Sequence, residues 1–173
     1  MGSIKDSLTF DDVSLIPQHS SIVPNETKTN IELFKNLKLK IPLISSAMDT
    51  VTESKMAIAI GKLGGIGVIH RNLPIEKQVQ EVKKVKKQKL LVGAAIGVNN
   101  NDLDRAKKLS RANVDLLVID TAHGHSNKVL KIIKKIKKII KNIPLCAGNI
   151  ATGKAAKFLA DSGVDIVKVG IGP

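Results

Sequence analysis

Apolar residues along the chain gather into six short runs, each followed by a stretch with helical spacing. The runs cover 41–45, 65–70, 90–97, 115–120, 143–150 and 165–172, and their starts lie 24, 25, 25, 28 and 22 residues apart. Runs this short, rich in Ile, Val and Leu, suit strands buried on both faces of a parallel sheet. The stretches between them, 52–63, 74–86, 101–112, 126–141 and 152–162, predict helices. Thr50 and Glu53 have the spacing of a capping box before the first helix. Pro74 suits a first helical position. Gly64 and Gly163 stand just past two helices, where a left-handed residue ends the last turn. Strand and helix alternating at this rhythm predict right-handed βαβ crossovers.

An open doubly wound sheet and a closed barrel both fit. Two features favour the barrel. The repeat is regular, with no long crossover. Polar residues also collect where strands end: Ser45 and Ser46, His70, Asp120, Asn149, then the segment Gly170 to Pro173. In a (β/α)8 barrel the carboxyl ends of all strands share one active-site face, whereas an open sheet favours a single switch point. No GxGxxG opens a helix after a strand, so a Rossmann fingerprint is missing. The expected fold class is α/β, of the (β/α)8 TIM barrel type, with about six of eight units in this chain. Residues 1–40 form an N-terminal segment and 41–173 the six units. Two further units and their loops are expected to be missing, since a complete barrel typically takes about 250 residues.

Composition narrows the partners. Aromatic residues are 2% of the 173, with no Trp or Tyr, so the core is aliphatic and a base-stacking surface is disfavoured. One Cys excludes a disulfide framework and a Cys-rich zinc site. No apolar run approaches the length of a membrane span. MGSIKDSLTF has no basic-then-apolar signal region, so a cytoplasmic location is expected. The formal charge of +13 invites a polyanion, but only three of 28 basic residues are Arg, the usual base reader. The lysines cluster in 83–89 and 131–141. In the second stretch Val129, Leu130, Ile132, Ile133, Ile136, Ile139 and Ile140 take one helical face and the lysines the other. That pattern describes a solvated amphipathic helix. Neither a nucleic-acid nor a membrane partner is expected.

Seven segments then occur in order, each at a strand end or its flank. They are LTFDDVSLIP (8–17), ISSAMDTVTES (44–54), GGIGVIHRN (64–72), VGAAIG (92–97), VIDTAHGHS (118–126), AGNIAT (147–152) and VKVGIGP (167–173). This series resembles the inosine 5′-monophosphate (IMP) dehydrogenase family across nearly the whole chain. The resemblance implies a barrel that oxidises IMP to xanthosine 5′-monophosphate with NAD in guanine nucleotide biosynthesis, as a homotetramer that binds a potassium ion. GMP reductase shares the barrel, but SAMDTVTE and DTAHGHS look like the dehydrogenase. A non-catalytic remnant of the barrel is a further reading. Two departures stand out. The family usually inserts a pair of regulatory modules between its second helix and third strand, and here only residues 86–89 occupy that place. Their loss is expected to remove nucleotide regulation and spare the chemistry. The family also continues GIGP into a loop bearing the nucleophilic Cys. That loop is expected beyond Pro173, so no catalytic residue is assigned within the chain, and the 173 residues alone are expected to be inactive.

The resemblance assigns binding residues. Ser46 and Met48 would line the IMP pocket, Ser46 toward the phosphate and Met48 against the purine. Asn149 would meet the purine edge, which suits an amide that both donates and accepts. Asp120 would accept hydrogen bonds from NAD ribose hydroxyls; a carboxylate closing an apolar strand needs such a partner, an ion pair or a helix cap. Thr121, Ala122, Gly170, Ile171 and Gly172 would face NAD, and the Gly172 carbonyl would bind potassium. Cys146 lies within IPLCAGNI, a buried-strand pattern, and reads as a small core residue rather than a nucleophile. His70, His123 and His125 have no metal-site spacing.

Overall fold

The computed structural model describes residues 8–171. Two short 3-10 turns, Phe10–Asp12 and Pro24–Glu26, punctuate an extended leader. A hairpin follows, β1 (Ile31–Phe34) and β2 (Leu37–Leu39), paired antiparallel around Asn36 at φ 65°. Then come β3 (Ile44–Ser45), α1 (Ser54–Lys62), β4 (Ile66–Ile69), α2 (Ile75–Lys87), β5 (Val92–Ile96) and α3 (Asp102–Arg111). The chain continues through β6 (Leu116–Asp120), α4 (Asn127–Ile139), β7 (Leu145–Ile150), α5 (Gly153–Asp161) and β8 (Ile166–Val169).

Strands β3 to β8 form one sheet in sequential order, every neighbouring pair parallel. No reversal of order occurs, so the open doubly wound alternative falls and the sheet is a partial barrel. Alternation along the strands separates two cores. Ile69, Ala94, Ile96, Leu117, Ile119 and Ala147 pack with the buried helix residues. Ile66, Val68, Ala95, Leu116, Val118 and Cys146 form a second cluster on the concave side. The helices therefore cover one face only. On β8 the inward positions are Ile166 and Lys168; Val167, a residue the strand pattern would equally allow inside, packs on the helix side. The last expected run, 165–172, is a strand only to Val169. Gly172 and Pro173, which end the GIGP segment, lie outside the described residues.

The hairpin lies within residues 1–40, the N-terminal segment, where the hydrophobic pattern predicts no strand. Leu37 and Leu39 are buried and cluster with Ile66 and Leu116, the first residues of β4 and β6. The hairpin thus floors the amino end of the concave face.

Helix ends follow the sequence with three differences, the first being that Pro74 stands just before α2 as its N-cap, at ψ 145°, and not at the first helical position. Gly64 and Gly163 have φ of +95° and +88°, as their positions predict. At Gly64 a side chain is also excluded by space, since a Cβ would lie 2.5 Å from Lys40 Cβ. Lys89 and Asn113 adopt φ of 57° and 60° without being glycine. The Thr50–Glu53 capping box does not form: α1 begins at Ser54, and the Ser54 N–H donates to Glu81 Oε2 of α2 at 2.8 Å. A cap supplied by the next helix leaves no local sequence signal. The expected Lys-rich helix is present as α4, burying Val129, Ile132, Ile133 and Ile136. From α2 the chain reaches β5 through residues 88–91 alone.

Candidate functional site

The carboxyl ends of the strands share one rim, and the residues expected to act fall there in two groups. The first group belongs to β6, β7 and β8. Asp120 ends β6 opposite Gly148 in register. Its Oδ1 accepts a hydrogen bond from Lys168 Nζ at 2.7 Å. Its Oδ2 accepts none among the described residues. The Thr121 N–H and hydroxyl both donate to the Gly148 carbonyl, at 3.0 and 2.7 Å. The Asn149 N–H donates to the Thr121 carbonyl, and the Gly124 N–H to the Asn149 carbonyl, each at 2.7 Å. A Cβ on Gly124 would sit 2.9 Å from that carbonyl, so the two loops meet backbone to backbone. Asn149 Oδ1 is buried and has no hydrogen-bond partner among the described residues. The Gly170 N–H donates to the Ile150 carbonyl at 2.8 Å, with φ +123°. Asp120, Thr121, Asn149 and Gly170 are thereby one interlocked unit. Ala122 and Ile171 are exposed on its loops. Two expectations fall outside the described residues: the potassium carbonyl at Gly172, and Pro173, the residue after which the nucleophile loop is expected.

The second group is the loop after β3, where Ser46 and Met48 are both exposed. No hydrogen bond joins the two groups among the described residues. They flank a concave cavity of about 280 Å³ whose lining includes Ser45, Ser46, Val118, Cys146, Ile166 and Lys168. Met48, Asp120 and Asn149 stand outside it, and Asp120 reaches its edge through Lys168.

Cys146 lines this cavity and is 6% exposed. Burial pushes its thiol up to about 12, against the pull of nearby Lys168. A thiol held neutral in this way is not a nucleophile at neutral pH. The reading of Cys146 as a core residue holds.

One residue at the site, Lys168, escaped sequence reading, and a second, His70, stood out there only for its place at a strand end. Lys168 is a cation inside an apolar run, two positions from inward-facing Ile166. Period-two placement puts it on the concave face, where it needs a partner. His70 is 3% exposed at the end of β4, with Nε2 3.3 Å from Glu53 Oε1 and Nδ1 accepting the Asn72 N–H at 3.1 Å. Beneath these loops Gln78, fully buried, spans the Ile69, His70 and Ala95 carbonyls with its amide nitrogen. Its Oε1 accepts from Arg105.

A family model described as the IMP dehydrogenase / GMP reductase domain matches residues 7–173. The chain is 43% identical over 219 residues to the inosine-5′-monophosphate dehydrogenase of Borreliella burgdorferi, covering 98% of this chain and 54% of that protein. It is 42% identical over 214 residues to the enzyme of the same name from Cryptosporidium parvum, covering 99% and 53%. Against that of Aquifex aeolicus the identity is 30% over 298 residues. The chain spans about half the length of the first two relatives. With six parallel units in barrel order and the family match running from residue 7 to 173, the chain belongs to the IMP dehydrogenase / GMP reductase family.

Proposed function

We propose that this chain supplies nucleotide and NAD contacts to an IMP dehydrogenase, an enzyme that oxidises IMP to xanthosine 5′-monophosphate. The observation that carries the reading is the interlocked unit at the ends of β6, β7 and β8. Among the described residues it holds a carboxylate oxygen with no hydrogen bond, Asp120 Oδ2, and a buried amide oxygen with no partner, Asn149 Oδ1. A free carboxylate oxygen fits a ribose diol, which brings two hydroxyl donors. Bound NAD supplies the hydride acceptor. Ser46 offers a hydroxyl to a phosphate across the cavity, and Met48 an adaptable apolar side chain to a purine. The names of the relatives supply the substrate. With the Cys146 thiol neutral, no described residue serves as the family's thiolate, and the described residues alone are expected to turn over no IMP.

Calorimetric titration of the protein with IMP and with NAD tests this. Asp120→Asn is expected to weaken NAD about ten-fold, the worth of one charge-assisted hydrogen bond, and to spare IMP. Ser46→Ala is expected to weaken IMP and spare NAD. Failure of both ligands to bind the parent protein overturns the reading. Turnover that survives Cys146→Ala would show that another residue does the chemistry; turnover abolished by it would make Cys146 the nucleophile.

A further inference from the structure

Residues 46–53 form the loop after β3 and carry Ser46 and Met48. Four attachments hold it, the last of them between the His70 ring and Glu53. The Thr52 hydroxyl, fully buried, lies 2.9 Å from Ser45 Oγ and donates to the Ser46 carbonyl at 2.5 Å. The Thr52 carbonyl accepts the His70 N–H at 3.3 Å. Asn72 Nδ2 donates to Asp49 Oδ2 at 2.9 Å, and this amide holds the Asp49 carboxyl below its ordinary range. The second and third attachments both come from the end of β4, and His70 joins them.

The ring of His70 can take only one neutral form here. A backbone N–H can only donate, so the Asn72 N–H bond makes Nδ1 an acceptor. The ring proton then sits on Nε2, where it is donated to the Glu53 carboxylate. One nitrogen fixes the backbone of Asn72, whose side chain grips Asp49. The other grips Glu53, at the far end of the same loop.

We propose that His70 is a positioning residue for nucleotide binding: neutral and protonated on Nε2, it orients Asn72, which holds Asp49 and so the turn carrying Ser46 and Met48. The inference rests on the reading that Ser46 and Met48 face the nucleotide. It goes beyond that reading by assigning the loop's placement to a buried side chain that does not touch ligand.

The test uses the protein labelled at methionine methyl groups and histidine ring nitrogens. Long-range proton–nitrogen correlation is expected to show His70 protonated on Nε2 and bare on Nδ1; the opposite tautomer overturns the proposal. Asn72→Ala, an exposed change that does not endanger folding, is expected to shift the Met48 methyl resonance and weaken IMP about ten-fold. His70→Gln keeps a donor toward Glu53 but loses the acceptor for Asn72, and is expected to do the same. His70→Asn keeps that acceptor and is expected to restore the Met48 resonance and IMP affinity to within about two-fold. Equal losses in His70→Gln and His70→Asn would make His70 a packing residue and sink the proposal. An unmoved Met48 signal in Asn72→Ala would sink it while IMP binding still upheld the function. A parent protein that binds no IMP, but shows the tautomer and the Met48 shifts, would overturn the function and leave the positioning role standing.

Discussion

Cys146 is the residue whose chemistry the fold suppresses most. Its thiol is raised from 9.0 to about 12, first by burial, with Lys168 acting against that and Asp120 with it. The folded state therefore keeps a proton that the unfolded chain releases above about pH 9. The stability this contributes is fully present below pH 9 and is lost as pH rises toward 12, at about 1.4 kcal/mol per pH unit. At pH 8, iodoacetamide should alkylate the native thiol on the order of a hundred-fold more slowly than the thiol in denaturant. Equal rates, followed by mass spectrometry, would mean that the concave face is open to solvent and the thiol unperturbed. At this scale the sequence is informative wherever a polar residue closes an apolar run, and Asp120 and Asn149 stand out for that reason. It is silent on Thr121 gripping Gly148 and on Gly124 gripping Asn149. Those contacts follow from the register of β6 on β7, which no local pattern encodes.

Between residue and fold, one device occurs twice. Val114 and Asp115 precede β6 as Val164 and Asp165 precede β8. Asp115 accepts from Lys86 of α2, at 2.8 and 2.7 Å, and from the Val92 N–H at the start of β5. Asp165 accepts from Lys137 of α4, at 2.9 Å to each oxygen, and from the Leu145 N–H at the start of β7. Each carboxylate thus ties a helix to the amino end of the preceding strand, and a left-handed residue, Asn113 or Gly163, stands two positions before it. Asp115→Ala and Asp165→Ala should each lower stability by about 1–3 kcal/mol, because a strand-end N–H and a half-buried ammonium lose their partner together. Denaturant titration reads this; a midpoint unchanged in both variants would reduce the pairs to solvated surface contacts. The strand and helix alternation was legible because six units repeat it. The hairpin was not. IELF and LKL are four and three residues long, and their burial depends on the distant Ile66 and Leu116.

For the molecule as a whole, the arrangement leaves two strand edges. Among the described residues β3 pairs only with β4, and β8 only with β7. A closed barrel has no such edges, and its interior is filled by layers of inward side chains from every strand. Here the inward cluster is small and aliphatic, and the edges carry apolar residues into solvent: Ile44 is 45% exposed, Val169 62% and Ile171 53%. Each large aliphatic side chain left exposed forgoes roughly 1.5–3 kcal/mol of burial. Several together rival the net stability of a typical domain, about 5–15 kcal/mol. β3 is blunted by its length of two residues, but β8 offers four with their outer hydrogen-bonding groups unpaired in the sheet. Lys168 does not guard that edge, because it points inward to Asp120. The 173-residue chain on its own should therefore self-associate or lose fixed side-chain packing, unless further units cover both edges. Sedimentation velocity across a concentration series should show weight-average size rising with concentration. Thermal melting should be broad. A monomer of 18.6 kDa at every concentration, with one sharp cooperative transition, would show that six units suffice for a stable fold, and would favour a free-standing remnant over a part of a larger barrel.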